Sequence, residues 1–376
     1  MKKTSYKLLP LFFFALIGML LTACQSGNLT PQAPSPVATE VIVEQSTATI
    51  EPEVDKKEIV VFVAGSLIIP FTELEKAFEA KYPHIDMRGE YHGSIQVMRH
   101  VTDLHEPIDL VVTADASLIP LLMYATDNPS TGNPYANWFI NFAGNSLTLA
   151  YTENSIYADE LTAENWPEIL SRPDVKFGIP DPRFDAAGYR AMMAFALYEN
   201  LHQKNGAFKT MFKDQFTYPV SIFREDGIAT IRIPEILETK TDDHVMIRSA
   251  SVFLIALLES GDVDYAFEYD SVVKQHGLKY LELPPLENMG DEDLREEYEK
   301  VLVKLDFKRF LAIEPIFTAE PIRYAITIPD SSPNPEEAEL FIQFLLSEEG
   351  RAVMESNYHP MFNTCLADGF ESMPES

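Results

Sequence analysis

The sequence predicts an α/β fold built in two lobes, and three observations lead to that prediction. The 376 residues are 46% hydrophobic and 23% charged, which is typical of a globular protein. Apolar, β-branched runs alternate with segments of helical periodicity from residue 58 onward, which predicts a mostly parallel sheet covered by helices on both faces. The ordered part, about 320 residues long, fits two ordinary lobes better than one very large sheet.

Seven apolar runs predict the strands. The run at 59–64 is the clearest, because it is apolar and β-branched throughout, as in a strand buried on both faces. The predicted strands are 59–64, 85–91, 108–113, 146–151, 175–179, 265–269 and 324–328. Apolar residues at helical spacing predict the helices. The predicted helices are 71–82, 95–104, 117–124, 188–198, 252–258 and 335–346.

Residues 1–23 are predicted to be a signal peptide. Three lysines precede an apolar stretch at 8–21, which is too short to span a bilayer comfortably and is typical of a secretory signal. The segment ends Leu-Thr-Ala-Cys at Cys24 and resembles the bacterial lipoprotein signal, in which cleavage precedes an acylated cysteine. The resemblance implies lipid anchoring through Cys24 on the extracytoplasmic face of the cell membrane. The alternative is an uncleaved anchor helix with an incidental cysteine.

Residues 24–57 are predicted to be a disordered tether, because they are rich in Pro, Ser, Thr and Glu and contain no aromatic residue. The chain has two cysteines. An acylated Cys24 leaves Cys365 without a partner, so no disulfide is expected. Cys365 is interpreted as a half-buried structural residue, with a reactive thiol as the alternative, and residues 367–376 are interpreted as a flexible tail.

The charge excludes one class of partner. The 29 basic and 58 acidic residues give a formal charge of −29, which becomes −32 if Lys2, Lys3 and Lys7 leave with the signal peptide. Nucleic-acid-binding proteins carry basic patches, so a nucleic-acid partner is excluded. The same charge opposes the long-range approach of an anion.

Small hydroxyl residues nevertheless stand where an anion could bind. Gly65-Ser66 and Gly93-Ser94 follow the first two predicted strands, and Ser251 precedes the helix at 252–258. Ligands of open parallel sheets bind beyond the carboxyl ends of the strands, and helix N-termini offer free N–H groups. Each serine taken alone is also explained as a helix cap. Together these residues indicate a small oxyanion held by neutral donors.

A fourth segment, Asp185-Ala186-Ala187, leads into the helix at 188–198. The N–H groups of Ala187 and Gly188 could face a ligand, while Asp185 alone is interpreted as a helix cap. Signatures of zinc proteases, serine hydrolases, P-loops and dinucleotide-binding folds are absent from the sequence. The histidines fit no standard zinc pattern, and the acidic stretch 287–299 is interpreted as a solvated helix face. We therefore predict no enzyme, no catalytic residue and no resident metal.

Several motifs together resemble a known family. They are FVAGSL at 62–67, HGS at 92–94, ADASLIP at 114–120, GYR at 188–190 and YDSVVKQHG at 269–277. These segments look like the tungstate/molybdate-binding proteins of ABC importers, in the archaeal-type branch, from residue 58 to about 360. The resemblance implies a periplasmic-binding-protein fold of the second class, with the ligand in the interlobe cleft. It also implies tungstate or molybdate as ligand, no cofactor, a monomer, and an ABC permease and its ATPase as partners.

The resemblance further assigns lobe one to 58–143 plus 322–366 and lobe two to 144–321. The ligand-contacting residues that it implies are Gly65, Ser66, Ser94, Asp185, Ala186, Ala187, Ser251 and Tyr269. Ala186-Ala187 stands where the family has Pro-Cys, and Ala186 regains an N–H that proline lacks.

Ser251 departs from the family's sequence pattern more seriously than Ala186-Ala187 does. It stands where the family has a glutamate that completes, with the aspartate, six-fold coordination of the metal centre. Glu268 is nearby in sequence but does not match that position. With one carboxylate replaced by a hydroxyl, a tetrahedral anion held by hydrogen bonds becomes the favoured mechanism. Asp185 would then be a cap or would accept a proton from the ligand.

Three alternatives remain open from the sequence. The change at Ser251 could shift the specificity to another oxyanion such as sulfate. A lipid-anchored hydrolase using Ser66 or Ser94 lacks an evident His/Asp partner set. A sensor or adhesin without a transport role is the third. The oxyanion interpretation predicts that Ser66→Ala plus Ser94→Ala abolishes binding and that Glu268→Gln barely changes it.

Overall fold

The computed structural model describes residues 56–373 except 213, 241–243 and 307–314, and its strands form three mixed sheets. The predicted signal peptide, Cys24 and the tether as far as residue 55 lie outside the described residues. In the part that is described, no helix is both long and apolar enough to cross a membrane.

The strands extend over much of the described chain. They are β1 (Lys57–Ala64), β2 (Ile85–His92), β3 (Leu110–Thr113), β4 (Phe139–Gly144), β5 (Leu147–Tyr151), β6 (Phe177–Pro180), β7 (Ser221–Glu225), β8 (Ile228–Ile233), β9 (Val245–Arg248), β10 (Tyr265–Tyr269), β11 (Lys279–Glu282), β12 (Val301–Leu305), β13 (Ile316–Thr318), β14 (Arg323–Thr327) and β15 (Met361–Asp368).

The α-helices vary from four to 17 residues in length. They are α1 (Ile68–Lys81), α2 (Ser94–Thr102), α3 (Trp166–Leu170), α4 (Ala186–His202), α5 (Ala207–Phe212), α6 (Phe253–Ser260), α7 (Asp270–Gln275), α8 (Pro285–Asn288), α9 (Arg295–Tyr298), α10 (Pro335–Leu346) and α11 (Glu348–Ser356).

The first sheet has six strands in the order β15-β4-β14-β3-β1-β2. β1 pairs in parallel with β2 and β3, whereas β14, β4 and β15 are antiparallel to their neighbours. Within the first sheet, the expectation of mostly parallel strands therefore holds only for β1–β3; β10-β6-β9 in the second sheet and β12-β8 in the third are also parallel. A strand buried on both faces has the same apolar pattern in either direction, so the sequence pattern could not reveal the change.

The second sheet has the order β11-β5-β10-β6-β9 and the third has the order β13-β12-β8-β7. The third sheet was not predicted. Its strand β7 has no buried residue, and β8 is only alternately buried. Strands that expose one face carry a weaker apolar signal than the continuous runs of the other two sheets.

Aromatic side chains form much of the core. Phe78 contacts the rings of Phe341 and Phe344, which joins α1 to α10. Trp166 packs on Phe195 and Phe267, which joins α3 and α4 to β10. Burial of each such side chain stabilises the fold by about 1.5–3 kcal/mol, and this packing fixes the strand ends on which the candidate site is built.

Several predicted elements match the structure closely. β10 and α10 have the predicted bounds, and the helix predicted at 117–124 is a π-helical turn at Ile119–Met123. The acidic stretch 287–299 is not wholly solvated, because Glu287 is fully buried. Cys365 is a half-buried free thiol in β15, with its Sγ 3.8 Å from the Arg351 guanidinium.

Candidate functional site

Ser66 lies directly after β1, in a 3-10 turn at Gly65–Leu67, and its side chain is buried. Its hydroxyl is 2.9 Å from the Tyr324 hydroxyl, which also accepts a hydrogen bond of 2.9 Å from the Asn145 amide. With Asn145 donating to Tyr324 and Tyr324 donating to Ser66, the Ser66 hydroxyl keeps its own proton for another acceptor. In this arrangement Ser66 is a donor held in place for a ligand.

Ser94 is the first residue of α2, and its hydroxyl accepts a hydrogen bond of 3.1 Å from the Ala114 N–H. The proton of this hydroxyl is also left for donation. Ala64 pairs with His92 at the adjoining ends of β1 and β2. The turns that carry the two serines therefore follow neighbouring strand ends, as the sequence predicted.

Two close approaches bring elements of the first and second sheets together beside these serines. The carbonyl of Phe184 accepts hydrogen bonds from the N–H groups of Ile95 and Gln96, at 3.0 and 3.2 Å. A Cβ at Gly93 would lie 2.4 Å from the Phe184 carbonyl oxygen, so only glycine fits there. At Gly65 a Cβ would lie 3.5 Å from the Val252 side chain. The candidate site is thus enclosed from both sides.

Asp185 caps α4 with one carboxylate oxygen and binds the turn before α6 with the other. One oxygen accepts the Ala187 N–H at 2.9 Å, and the other accepts the Ser251 N–H at 3.0 Å. Burial raises the pKa of this carboxyl, while the two N–H groups and the charge of Arg190 oppose the rise. Asp185 therefore ties the start of α4 to the turn before α6.

These contacts decide which backbone donors remain at the start of α4. The N–H groups of Ala187 and Gly188 are bound to the side chain and the carbonyl of Asp185. The Ala186 N–H makes no hydrogen bond within the described residues. Of the backbone donors that the sequence suggested in this segment, Ala186 is the one left for a ligand.

Tyr269 is the last residue of β10, and it binds the buried side chain of Arg190, which was not among the predicted site residues. Its hydroxyl accepts a hydrogen bond of 2.8 Å from Arg190, which also donates to the Ala114 carbonyl at 2.7 Å and lies 3.3 Å from Asp115. Burial lowers the pKa of Arg190, but Tyr269 and Asp115 outweigh it and the net shift is upward. Arg190 thus links α4 to the segment after β3.

Arg190 could have been found in the sequence, because it is the one basic residue in the otherwise mostly apolar stretch 186–198. A charged residue in such a stretch is buried only when it is paired. The preceding residue, Tyr189, hydrogen-bonds Asp115 through its hydroxyl.

Glu268 is the other residue that the sequence did not place in the site. It is fully buried one position before Tyr269, and within the described residues neither carboxyl oxygen has a hydrogen-bond partner. Burial and then the charge of Asp185 raise the pKa of Glu268 to about 8, against the effects of the Ser251 hydroxyl and the Tyr269 N–H. These contributions place Glu268 beside Asp185 and Ser251.

The site offers hydroxyl and N–H donors rather than a metal cage. No group of three or more His, Cys, Asp or Glu side chains in the described part of the chain could hold a metal ion. A cavity of about 280 Å³ borders Gly65 and Ser66, but its other walls are mostly apolar, and Ser94, Asp185 and Glu268 do not line it. The hydroxyl and N–H donors of the site suit a small polyatomic anion with several acceptor oxygens.

Comparison with known proteins identifies the family. A family model described as bacterial extracellular solute-binding protein matches residues 59–358. The chain belongs to this family. It is therefore an extracellular solute-binding protein of the kind that serves ABC importers, and not an enzyme.

Relatives of this solute-binding protein span nearly its whole folded part. A molybdate/tungstate-binding protein of Pyrococcus abyssi is 36% identical over 326 residues, which cover 85% of this chain and 88% of the relative. An uncharacterized solute-binding protein of Petrotoga mobilis is 36% identical over 322 residues, which cover 85% of this chain and 88% of the relative.

The solved structures that resemble this solute-binding protein establish the fold alone. The molybdate-binding protein of Azotobacter vinelandii has a TM-score of 0.51 at 12% identity and covers 80% of this chain and 98% of its own. The sulfate-binding protein of Mycobacterium tuberculosis has a TM-score of 0.51 at 14% identity and covers 82% of this chain and 88% of its own. The predicted periplasmic-binding-protein fold is therefore confirmed.

Proposed function

We propose that this protein captures tungstate or molybdate outside the cytoplasm and delivers it to an ABC permease and its ATPase. The observation that carries the proposal is the pair of buried hydroxyls on Ser66 and Ser94, which are hydrogen-bonded to the Tyr324 hydroxyl and the Ala114 N–H, respectively, and can each donate a proton to a ligand. The 36% identity to proteins named for molybdate and tungstate binding supports the choice of anion.

The ligand would lie among the N-termini of α2, α4 and α6. Ser66, Ser94 and the Ala186 N–H are the neutral donors, and the positive ends of the helix dipoles favour negative charge there. In a water-excluded cleft such donors bind an anion more strongly than they would in water. No free lysine or arginine charge is needed.

The two lobes of the proposed clamp are residues 58–143 plus 322–366 and residues 144–321. Asn145 lies at the crossing between them and donates to Tyr324 on one side and to Ser271 on the other, at 2.9 and 2.8 Å. The proposal includes a monomer that is held at the membrane by lipid on Cys24, with residues 24–57 as the tether.

Titration calorimetry of the purified protein with tungstate, molybdate, sulfate and phosphate tests the proposal. The expected result is binding of tungstate and molybdate, with sulfate weaker. Binding of none of the four anions would rule out the oxyanion function.

Sulfate is a second candidate ligand because of Ser251. In the family that the sequence resembles, a glutamate at this position coordinates the metal of the anion, and a hydroxyl lends itself better to hydrogen-bonding a plain tetrahedral anion. A calorimetric preference for sulfate over tungstate would support this alternative.

A further inference from the structure

Glu268 differs from other buried acids of the described chain because neither of its carboxyl oxygens makes a hydrogen bond of normal geometry. Glu287 is equally buried, but one of its oxygens accepts a hydrogen bond of 2.8 Å from the Trp166 indole. Within the described residues, the Ser251 hydroxyl and the Tyr269 N–H act on Glu268, but neither of its oxygens has a hydrogen-bond partner of normal geometry. Buried polar groups in native proteins are almost always satisfied, so a carboxyl group left without a partner indicates a missing one.

The position of Glu268 directs its side chain to the candidate site. Along β10 the side chains alternate between the faces of the sheet. Phe267 packs on Phe195 of α4 and Tyr269 bonds Arg190 of α4, so the intervening Glu268 lies on the opposite face. That face carries the turn before α6, where Ser251 and the carboxylate of Asp185 are its neighbours.

Asp185 and Glu268 are therefore not equivalent. Both oxygens of Asp185 are occupied by backbone N–H groups. Glu268 is the carboxyl group at the site whose oxygens are free to meet a ligand.

The surroundings favour the neutral acid form of Glu268. Water is excluded, and the nearest charge that acts on it is that of Asp185, which repels a second negative charge. A pKa raised to about 8 agrees with this environment. A protonated carboxyl group carries an O–H donor, as do Ser66 and Ser94.

We propose that Glu268 contacts the bound oxyanion and donates a hydrogen bond to one of its oxygens through a protonated carboxyl group. This inference rests on the proposed function and deepens it, because it adds a further binding residue to the serines. The site then presents neutral donors on both sides of the ligand. The ligand class is a small tetrahedral oxyanion whose oxygens are all acceptors.

Tungstate calorimetry on the full-length protein and its variants tests the inference. Glu268→Gln keeps the shape and an N–H donor, so its affinity should stay within about threefold of the unmodified protein. Glu268→Met keeps the length but has no donor, so its affinity should fall about tenfold or more. Glu287→Met, the same change at the other buried glutamate, should leave the affinity unaltered.

Infrared difference spectroscopy gives a second readout that does not depend on the folding of Glu268→Met. Addition of tungstate should shift the C=O stretching band of a protonated carboxyl group in the unmodified protein, and Glu268→Gln should abolish that shift.

Two results would overturn the inference while leaving the oxyanion function intact. They are unchanged tungstate affinity in Glu268→Met, and a loss in Glu268→Gln as large as in Glu268→Met. An unmodified protein that binds none of the tested oxyanions would instead overturn the proposed function, and this inference with it.

Discussion

Ser66 and Ser94 carry the proposed binding energy because each hydroxyl is held in place by one hydrogen bond and can direct its own proton at a ligand. Ser66 is paired with Tyr324, and Ser94 accepts from the Ala114 N–H. An ordinary helix-capping serine would direct its oxygen at its own helix, yet neither serine makes such a cap bond. The cap interpretation that the sequence left open therefore does not describe these two residues.

Ser66→Ala combined with Ser94→Ala should reduce tungstate affinity by about 100-fold or more, because each hydrogen bond to a charged group contributes about 1.5–3 kcal/mol. Titration calorimetry measures the change. Ser260→Ala, at an exposed serine at the end of α6, is the control and should bind as the unmodified protein does. Unchanged affinity in the double variant would contradict the site.

The buried carboxyl group of Glu287 should make the stability of the protein depend on pH. Burial raises its pKa to about 8. Because the folded protein holds this proton above the ordinary pKa of 4.5, unfolding releases it, and the contribution of Glu287 to the free energy of unfolding falls between about pH 4.5 and 8.

The stability of Glu287→Gln relative to the unmodified protein should therefore rise with pH in that interval, by at most about 1.4 kcal/mol per pH unit. Denaturant unfolding of both proteins at pH 5.5 and pH 8 measures the difference. A difference that is independent of pH would contradict the assignment.

Site residues that belong to a recognisable local sequence pattern can be predicted well. Site residues whose role depends on contacts with distant parts of the chain cannot. Gly65-Ser66 and Gly93-Ser94 follow apolar strands, and that pattern alone pointed to them. Arg190 and Glu268 are buried titratable residues whose surroundings are formed by residues far away in sequence. Only the fold shows that Asp185 is saturated and Glu268 is not.

At the scale of elements, the contact between α2 and the segment before α4 encloses the site. Gly93 permits the approach, since a Cβ there would clash with the backbone at Phe184. The two N–H groups at the start of α2 that bind the Phe184 carbonyl are used by this contact and do not reach a ligand.

Gly93→Ala should separate these elements and weaken tungstate binding severalfold or more. Gly144→Ala is the matched control, because a Cβ there would meet Phe362 at an ordinary 3.5 Å. Calorimetry on both variants measures the effect. Equal affinities for Gly93→Ala and Gly144→Ala would show that closure does not depend on this contact.

Whether a segment forms a helix or a strand was easier to predict than which strand it pairs with and in which direction. The apolar runs gave β1, β2, β10 and α10, whereas the direction of β14 and β15 depends on where the chain returns to the first sheet. The third sheet was missed because β7 has no buried residue and β8 is only alternately buried.

At the scale of the whole molecule, the formal charge of −29 and the binding of an anion are compatible. The charge acts at long range and is screened by salt, whereas the neutral donors act at contact. The acidic surface therefore affects the rate of association more than the affinity.

The association rate of tungstate should consequently rise with ionic strength. Stopped-flow fluorescence at low and at physiological concentrations of sodium chloride measures it. A rate that falls as salt is added would mean that a positive potential guides the anion into the cleft.

The central claim is that neutral hydrogen-bond donors hold a tetrahedral oxyanion, with no carboxylate bound to its metal. X-ray absorption at the tungsten edge, measured on the tungstate-loaded protein, tests this claim most directly. The spectrum should show four-coordinate, tetrahedral tungsten. Six-coordinate tungsten would contradict the claim, because it would require protein oxygens such as those of Asp185 or Glu268 to bind the metal itself.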